Sequence, residues 1–113
     1  MGSTLEHQLL VHHILLALGQ RNGIRVWKNQ TGVAKQGDRV IAFGLKGSAD
    51  ISGILGPHGQ RIELEVKTGN AIQNDSQKAF QKMILSMGGI YAVCRSVDDA
   101  LRALGINEST DSP

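Results

Sequence analysis

The segment Arg61-Ile62-Glu63-Leu64-Glu65-Val66-Lys67 alternates charged and apolar residues without a break. Period two is the spacing of one face of a β-strand, so Ile62, Leu64 and Val66 share one side while Glu63, Glu65 and Lys67 share the other. Directly before it, Gly56-Pro57-His58-Gly59 is a turn, and Ala49-Asp50-Ile51-Ser52-Gly53-Ile54-Leu55 reads as the strand that enters it. The two strands form a hairpin. Pairing symmetric about Pro57-His58 sets Asp50 opposite Glu65, on the same face as Lys67. Two carboxylates with Cβ atoms roughly 5 Å apart repel each other, so positive charge belongs between them. Lys67 is one source. A hard divalent cation such as Mg²⁺, which favours oxygen ligands from neighbouring strands, is another. The plainer alternative is a solvated hairpin face with an incidental Glu-Lys pair, and a slip of one residue would turn Asp50 to the opposite face.

The rest of the chain supplies the elements around this hairpin. Ser3 followed by Glu6, ahead of Leu9, Leu10, Val11, Ile14, Leu15 and Leu16, predicts a helix with a capping box, running to about Leu18 and stopped by Gly19, Asn22 and Gly23. Its apolar positions spread over two sides, Leu5, Leu9 and Leu16 on one and Leu10, Ile14 and Leu18 further round, which predicts cover on both, one of them a possible subunit interface. Ile24 to Lys28 alternates as a strand, a Gly- and Gln-containing loop follows, and Arg39 to Phe43 is a second short strand. Gly44 to Gly47 bends the chain into the hairpin. Asn74 or Asp75 caps a helix with Phe80, Met83, Ile84 and Met87 on one stripe, ended by Gly88-Gly89. Ile90 to Cys94 is a short buried strand, Ser96 opens a last helix through Leu101 and Leu104, and 107–113 reads as a frayed tail. The predicted order is α-β-β-β-β-α-β-α, an α/β fold in a single domain over residues 1–106.

Composition removes several function classes. With 113 residues the chain can bury a core without staples, and its one cysteine, Cys94, builds neither a disulfide framework nor a zinc-ligand set. No apolar run approaches a membrane span and no signal core is present, so the expectation is a soluble cytoplasmic protein with no membrane partner. Basic residues are concentrated between Arg21 and Lys46, where Arg21, Arg25, Lys28, Lys35, Arg39 and Lys46 face Asp38 alone. Such density suits a polyanion, although a solvated basic face looks the same in one dimension. Gly32 and Gly37 have Walker spacing, but Asp38 stands where that loop needs lysine, and no dinucleotide fingerprint exists, so no nucleotide cofactor is expected. Cys94 reads as packing, and Ser52 and Ser76 lack a histidine partner. His7, His12, His13 and His58 read as surface or partner contacts rather than ligands. Glu63 reads as a rim charge or salt-bridge partner, and Trp27 and Tyr91 as core residues before DNA wedges.

Gly47-Ser48-Ala49-Asp50, then Glu65-Val66-Lys67, then Ser76-Gln77 at a helix start resembles the PD-(D/E)XK nuclease core, and more closely its VRR-Nuc branch of virus-type replication-repair nucleases, in the stand-alone phage type. Ala49 replaces the usual proline, while the carboxylate that carries the chemistry is present. The resemblance spans Glu6 to about Val93 and implies a restriction-endonuclease-like core with a mixed β-sheet flanked by helices. It implies metal binding by Asp50, Glu65, the Val66 carbonyl and Glu6, a water- and phosphate-orienting role for Lys67, and support from Gln77. Glu6 is equally explained as the partner of the Ser3 cap.

The expected activity is Mg²⁺- or Mn²⁺-dependent hydrolysis of DNA phosphodiesters leaving a 5′-phosphate, with Arg25, Lys28, Lys35, Arg39, Lys46, Lys78 and Lys82 along the DNA backbone. Few aromatic residues argue against a single-strand stacking platform and for duplex or branched DNA. Cutting two strands symmetrically calls for two sites, hence a homodimer. By resemblance the substrate is a Holliday junction or related four-way DNA. The alternatives are a nicking or restriction-type nuclease on linear duplexes and a non-catalytic DNA-binding module.

Overall fold

The computed structural model describes residues 4–106 apart from 31 and 44. Its elements are α1 (Leu5–Gly19), β1 (Ile24–Lys28), β2 (Gly32–Gln36), β3 (Arg39–Phe43), β4 (Ile51–Leu55), β5 (Gln60–Val66), α2 (Asp75–Ser86), β6 (Ile90–Cys94) and α3 (Val97–Ala103). Four strands form a mixed sheet in the order β1-β4-β5-β6, antiparallel except where β6 runs parallel to β5. The chain is thus mixed α/β, with helices on both faces of the sheet. Among the described residues no helix is long and apolar enough to cross a membrane.

Strand alternation decides what each face meets. Ile62, Leu64 and Val66 join Ile51 and Cys94 on one face, where Val11, Ile14 and Leu18 of α1 and Ala100 and Leu101 of α3 complete an apolar core. Glu63, Glu65 and Tyr91 lie on the other face, partly roofed by α2 through Phe80 and Ile84. Phe80 meets the Tyr91 ring edge-on at 6.3 Å. Both faces of β5 are therefore buried. A carboxylate on its second face is a core group, not the solvated one that alternation alone suggests.

Several sequence expectations need correction. The loop assigned between the first two strands contains β2, which pairs with β3 as a separate antiparallel ribbon, Gln36 opposite Arg39. Gly37, at φ +61°, takes the first turn position of a two-residue connection, a conformation that favours glycine. The strand entering the hairpin starts at Ile51 instead of Ala49, and the Asp50 carbonyl just before it accepts from the Asn29 N–H at 2.8 Å. The α1 cap is Thr4, whose hydroxyl accepts from the His7 N–H at 3.1 Å, so Glu6 is not the reciprocal partner of a capping box. Ser3 and the tail from 107 lie outside the described residues. The described residues cover only one side of α1, since Leu5, Leu9 and Leu16 are exposed. Trp27 is 40% exposed and lies under the Arg61 guanidinium, 5.9 Å from its ring centre, so it is not a core residue.

Candidate active site

The hairpin register is the one that symmetry about the turn dictates, Ile51 opposite Leu64 and Ser52 opposite Glu63. Continued one step past the ladder, it brings Asp50 beside Glu65. Asp50 is fixed twice. Its carbonyl is held by Asn29, and its Oδ2 accepts from the Val66 N–H at 2.8 Å. Asn29 also donates through Nδ2 to Ser48 Oγ at 3.1 Å and to the Ala49 carbonyl at 3.2 Å, clamping the loop that leads into Asp50. The same loop presses on α2. At Gly47, φ is +80° and a Cβ would stand 2.3 Å from the Ser76 carbonyl oxygen, so only glycine fits.

Glu65 is 4% exposed, and its Oε2 accepts from Gln77 Nε2 at 3.0 Å and lies 3.6 Å from Lys67 Nζ. Its Oε1 is buried with no hydrogen-bond partner. Burial, reinforced by the neighbouring Asp50 charge, pushes the Glu65 carboxyl up to about 8, against the pull of Lys67. Lys67 is equally constrained. Its side chain is 13% exposed, Nζ donates to Gln77 Oε1 at 3.0 Å, and its backbone N–H is paired with the Cys94 carbonyl. Gln77 thus bridges acid and base. It also closes a capping box, accepting from the Asn74 N–H at 2.9 Å while Asn74 Oδ1 accepts from the Gln77 N–H.

His7 contradicts the surface assignment. Its side chain is 18% exposed, and Nε2 lies 3.0 Å from the Val66 carbonyl oxygen and 3.5 Å from Asp50 Oδ2. The signal that finds it is helical spacing: His7 sits one turn before Val11 on the stripe that continues through Ile14 and Leu18, the three buried residues of α1. Glu6, one position earlier, is exposed and lines a cleft of about 510 Å³ with Leu9, His13, Lys67 and Arg95. It shares the rim with Lys67, and no hydrogen bond or ion pair links it to Asp50 or Glu65. His12, His13 and His58 are exposed as expected.

Glu63 is a salt-bridge partner but not a rim charge: it is fully buried and accepts from Arg61 Nε at 2.7 Å. Cys94 is buried, with its thiol pushed up to about 12 by desolvation, as packing predicts. Tyr91 is buried and bonded through its hydroxyl to Gln73 at 3.1 Å, which leaves its ring no access to a ligand. Arg25, Lys28, Lys35, Arg39, Lys46, Lys78 and Lys82 are all exposed, and Lys46 lines a shallow cleft together with Ser76 and Ala79 of α2.

The site is under-neutralised. Two carboxylates adjoin a single lysine, one carboxylate oxygen is buried without a partner, and a backbone carbonyl opens beside them. Protonation of Glu65 or capture of a cation relieves this. Among the described residues no three His, Cys, Asp or Glu side chains stand together as a complete metal-ligand set; the convergence mixes side chains with the Val66 carbonyl. Comparison of the chain with protein-family profiles, with curated proteins and with solved structures gave no match.

Proposed function

We propose that the protein is a divalent-metal-dependent DNA endonuclease of the PD-(D/E)XK type, VRR-Nuc branch, with a restriction-endonuclease-like core, acting on branched DNA such as a four-way junction. The observation that carries this reading is the meeting of Asp50, Glu65 and Lys67 at the hairpin's open end, with the buried Glu65 Oε1 left unpartnered. The residues present fit a hard divalent ion. Asp50, Glu65 and the Val66 carbonyl would hold it, with Glu6 on the cleft wall as the further oxygen donor that the resemblance implies. Such an ion supplies Lewis acidity at the scissile phosphate and a hydroxide-like nucleophile at neutral pH.

The chain's own groups do the rest. Lys67, fixed through Gln77, orients the attacking water and neutralises charge building on the phosphate oxygens. The water oxygen gives up a proton to solvent and forms a bond to phosphorus as the bond to the 3′-oxygen breaks; the leaving 3′-oxygen takes a proton from solvent, and the products are a 5′-phosphate and a 3′-hydroxyl. Exposed Lys46, Lys78 and Lys82 on and beside α2, with Arg25, Lys28, Lys35 and Arg39 elsewhere on the surface, supply the backbone contacts. The stripe Leu5, Leu9 and Leu16, left exposed by the described residues, is where a second copy would dock to pair two sites.

The test is cleavage of four-way, flap, nicked and linear DNA in Mg²⁺ or Mn²⁺ by the wild type, Asp50→Ala and Lys67→Ala, with circular dichroism to verify folding. Preference for the four-way substrate and loss of cleavage in both variants are expected. Equal cleavage of linear DNA would reassign the substrate, and activity unchanged in folded variants would remove the site. A monomeric elution mass at working concentration would end the two-site pairing.

A further inference from the structure

We propose that Arg61 is a phosphate-binding residue for the DNA backbone, held in a fixed pose by the buried Glu63 and by Trp27, and joined by Arg25 on the same row of the sheet. The inference rests on the DNA-binding half of the proposed function. It adds a residue that the basic stretch from Arg21 to Lys46 does not contain.

The pose of Arg61 is set from two sides. Its Nε donates to Glu63 Oε2 at 2.7 Å, and its guanidinium carbon stands 5.9 Å from the centre of the Trp27 ring. The guanidinium carries its N–H donors in a flat fork, and Nε spends one of them on Glu63. Among the described residues nothing holds the edge formed by Nη1 and Nη2, and the side chain is half-exposed. That edge presents two parallel donors, the geometry that matches two oxygens of one phosphate. A long cation already fixed in place loses little freedom when it binds.

Stability alone does not account for this arrangement. Glu63 is fully buried, its Oε1 has no partner, and neither has Oγ of Ser52, the residue opposite it on β4. A buried carboxylate satisfied through one oxygen by a half-exposed arginine is no better for stability than an apolar side chain of the same size. What it provides is a rigid arginine. The register supplies a second cation: Arg25 stands opposite Ile54, and Ile54 opposite Arg61, so the two arginines flank one exposed isoleucine. Glu63 is the one acid in this row and the next, and it is buried, so the open surface is basic and complementary to a polyanion.

Arg61 shares its face of β5 with Glu65, four residues on, roughly 13 Å at strand spacing. Each strand of a duplex presents a phosphate about every 3.4 Å of axis. The phosphate taken by Arg61 therefore lies within about four nucleotides of the bond that the carboxylate cluster would cut.

The experiment uses the full-length protein with four-way, flap, nicked and linear DNA. Binding is read by fluorescence anisotropy in chelator, so that it is independent of cleavage. The variants are Arg61→Gln, Arg61→Lys and Glu63→Met, each checked for folding by circular dichroism. The form bound most tightly is then remade with single methylphosphonates, each neutralising one phosphate. Arg61→Gln should weaken binding roughly tenfold and lower the slope of log affinity against log salt by about one. Arg61→Lys should keep the slope but not the affinity, because an ammonium carries the charge without the fork. The wild type should lose affinity at several neutralised positions, and Arg61→Gln should become insensitive at one of them alone. Glu63→Met tests the anchor by sign. Deleting an acid tightens DNA binding through charge alone, whereas losing the pose of Arg61 weakens it. If Glu63→Met does not fold, Arg61→Lys decides, and wild-type affinity there would reduce Arg61 to a point charge and overturn the fixed fork. Tighter binding by folded Glu63→Met overturns the anchor. Unchanged affinity in Arg61→Gln, or a methylphosphonate pattern shared with the wild type, overturns the Arg61 assignment and leaves DNA binding in place. Binding without cleavage in Mn²⁺ removes the nuclease reading and leaves the Arg61 contact standing on its own scan. Absent binding of every DNA at low salt overturns the DNA reading and the role of Arg61 together.

Discussion

Replacing Glu65 by glutamine should stabilise the metal-free protein at alkaline pH while abolishing its response to divalent ions. The folded-state carboxyl of Glu65 titrates near 8 against an ordinary value of 4.5, first because it is desolvated and second because Asp50 is close. A folded value above the unfolded one means that the native state binds the extra proton. That stabilisation is complete below about 4.5 and is lost as pH rises through about 8. Across the full window the loss has a ceiling of about 5 kcal/mol, at 1.36 kcal/mol per pH unit. Glutamine is neutral throughout, keeps an oxygen for the Gln77 amide, and removes this component. For a domain of this size about 1 kcal/mol moves the melting temperature by roughly 4 °C, so the two proteins should diverge by on the order of 10–20 °C. The assay is thermal melting in chelator from about pH 5 to about pH 8.5, wild type against Glu65→Gln, so that the histidines common to both cancel in the difference. Repeating it with Mn²⁺ at about 100 times its dissociation constant should return about 2.7 kcal/mol to the wild type alone. Parallel melting curves in chelator would refute the burial argument. An equal Mn²⁺ shift in Glu65→Gln would refute the carboxylate as a ligand.

Gly47→Ala should cost about 2–4 kcal/mol in urea unfolding, combining a left-handed backbone with a Cβ driven into the Ser76 carbonyl. Asn29→Ala removes the two side-chain bonds that clamp the loop ahead of Asp50 and should lower stability by about 1–2 kcal/mol while weakening Mn²⁺ binding in calorimetry. Gln77→Ala breaks the α2 capping box and frees Lys67 and Glu65 together, so about 1–2 kcal/mol of stability and most cleavage should be lost. Lys78→Ala should reduce the slope of log affinity for duplex DNA against log salt by about one, equally for all sequences.

The strand pair and its register were legible because period-two alternation and a four-residue turn leave few pairings, and Asp50 beside Glu65 followed from them. The α2 stop at Gly88-Gly89 and the Ser96 cap of α3 were equally local signals. What was hidden depended on which side of an element the rest of the fold covers. Nothing near Glu63 or Glu65 in the chain announces that α2 closes over them. His7 was missed because leucines at 5, 9 and 16 gave α1 a more apolar stripe than the one it buries. The β2-β3 ribbon was legible in Gly37-Asp38, a pair suited to a two-residue turn, but Gly32 and Gly37 also have the spacing of a phosphate loop, and the segment between them lacks a strong apolar alternation. Trp27 defied its hydrophobicity because α2 roofs only part of that sheet face.

Because one amide both ties down the opening turn of α2 and joins Lys67 to Glu65, the helix terminus and the charged cluster form a single cooperative unit. Fraying of that turn would scatter the charged side chains, so amide hydrogen exchange at its first residues would report how long the constellation stays assembled. On the proposed nuclease reading, the lifetime of one helix end would then bound the turnover rate.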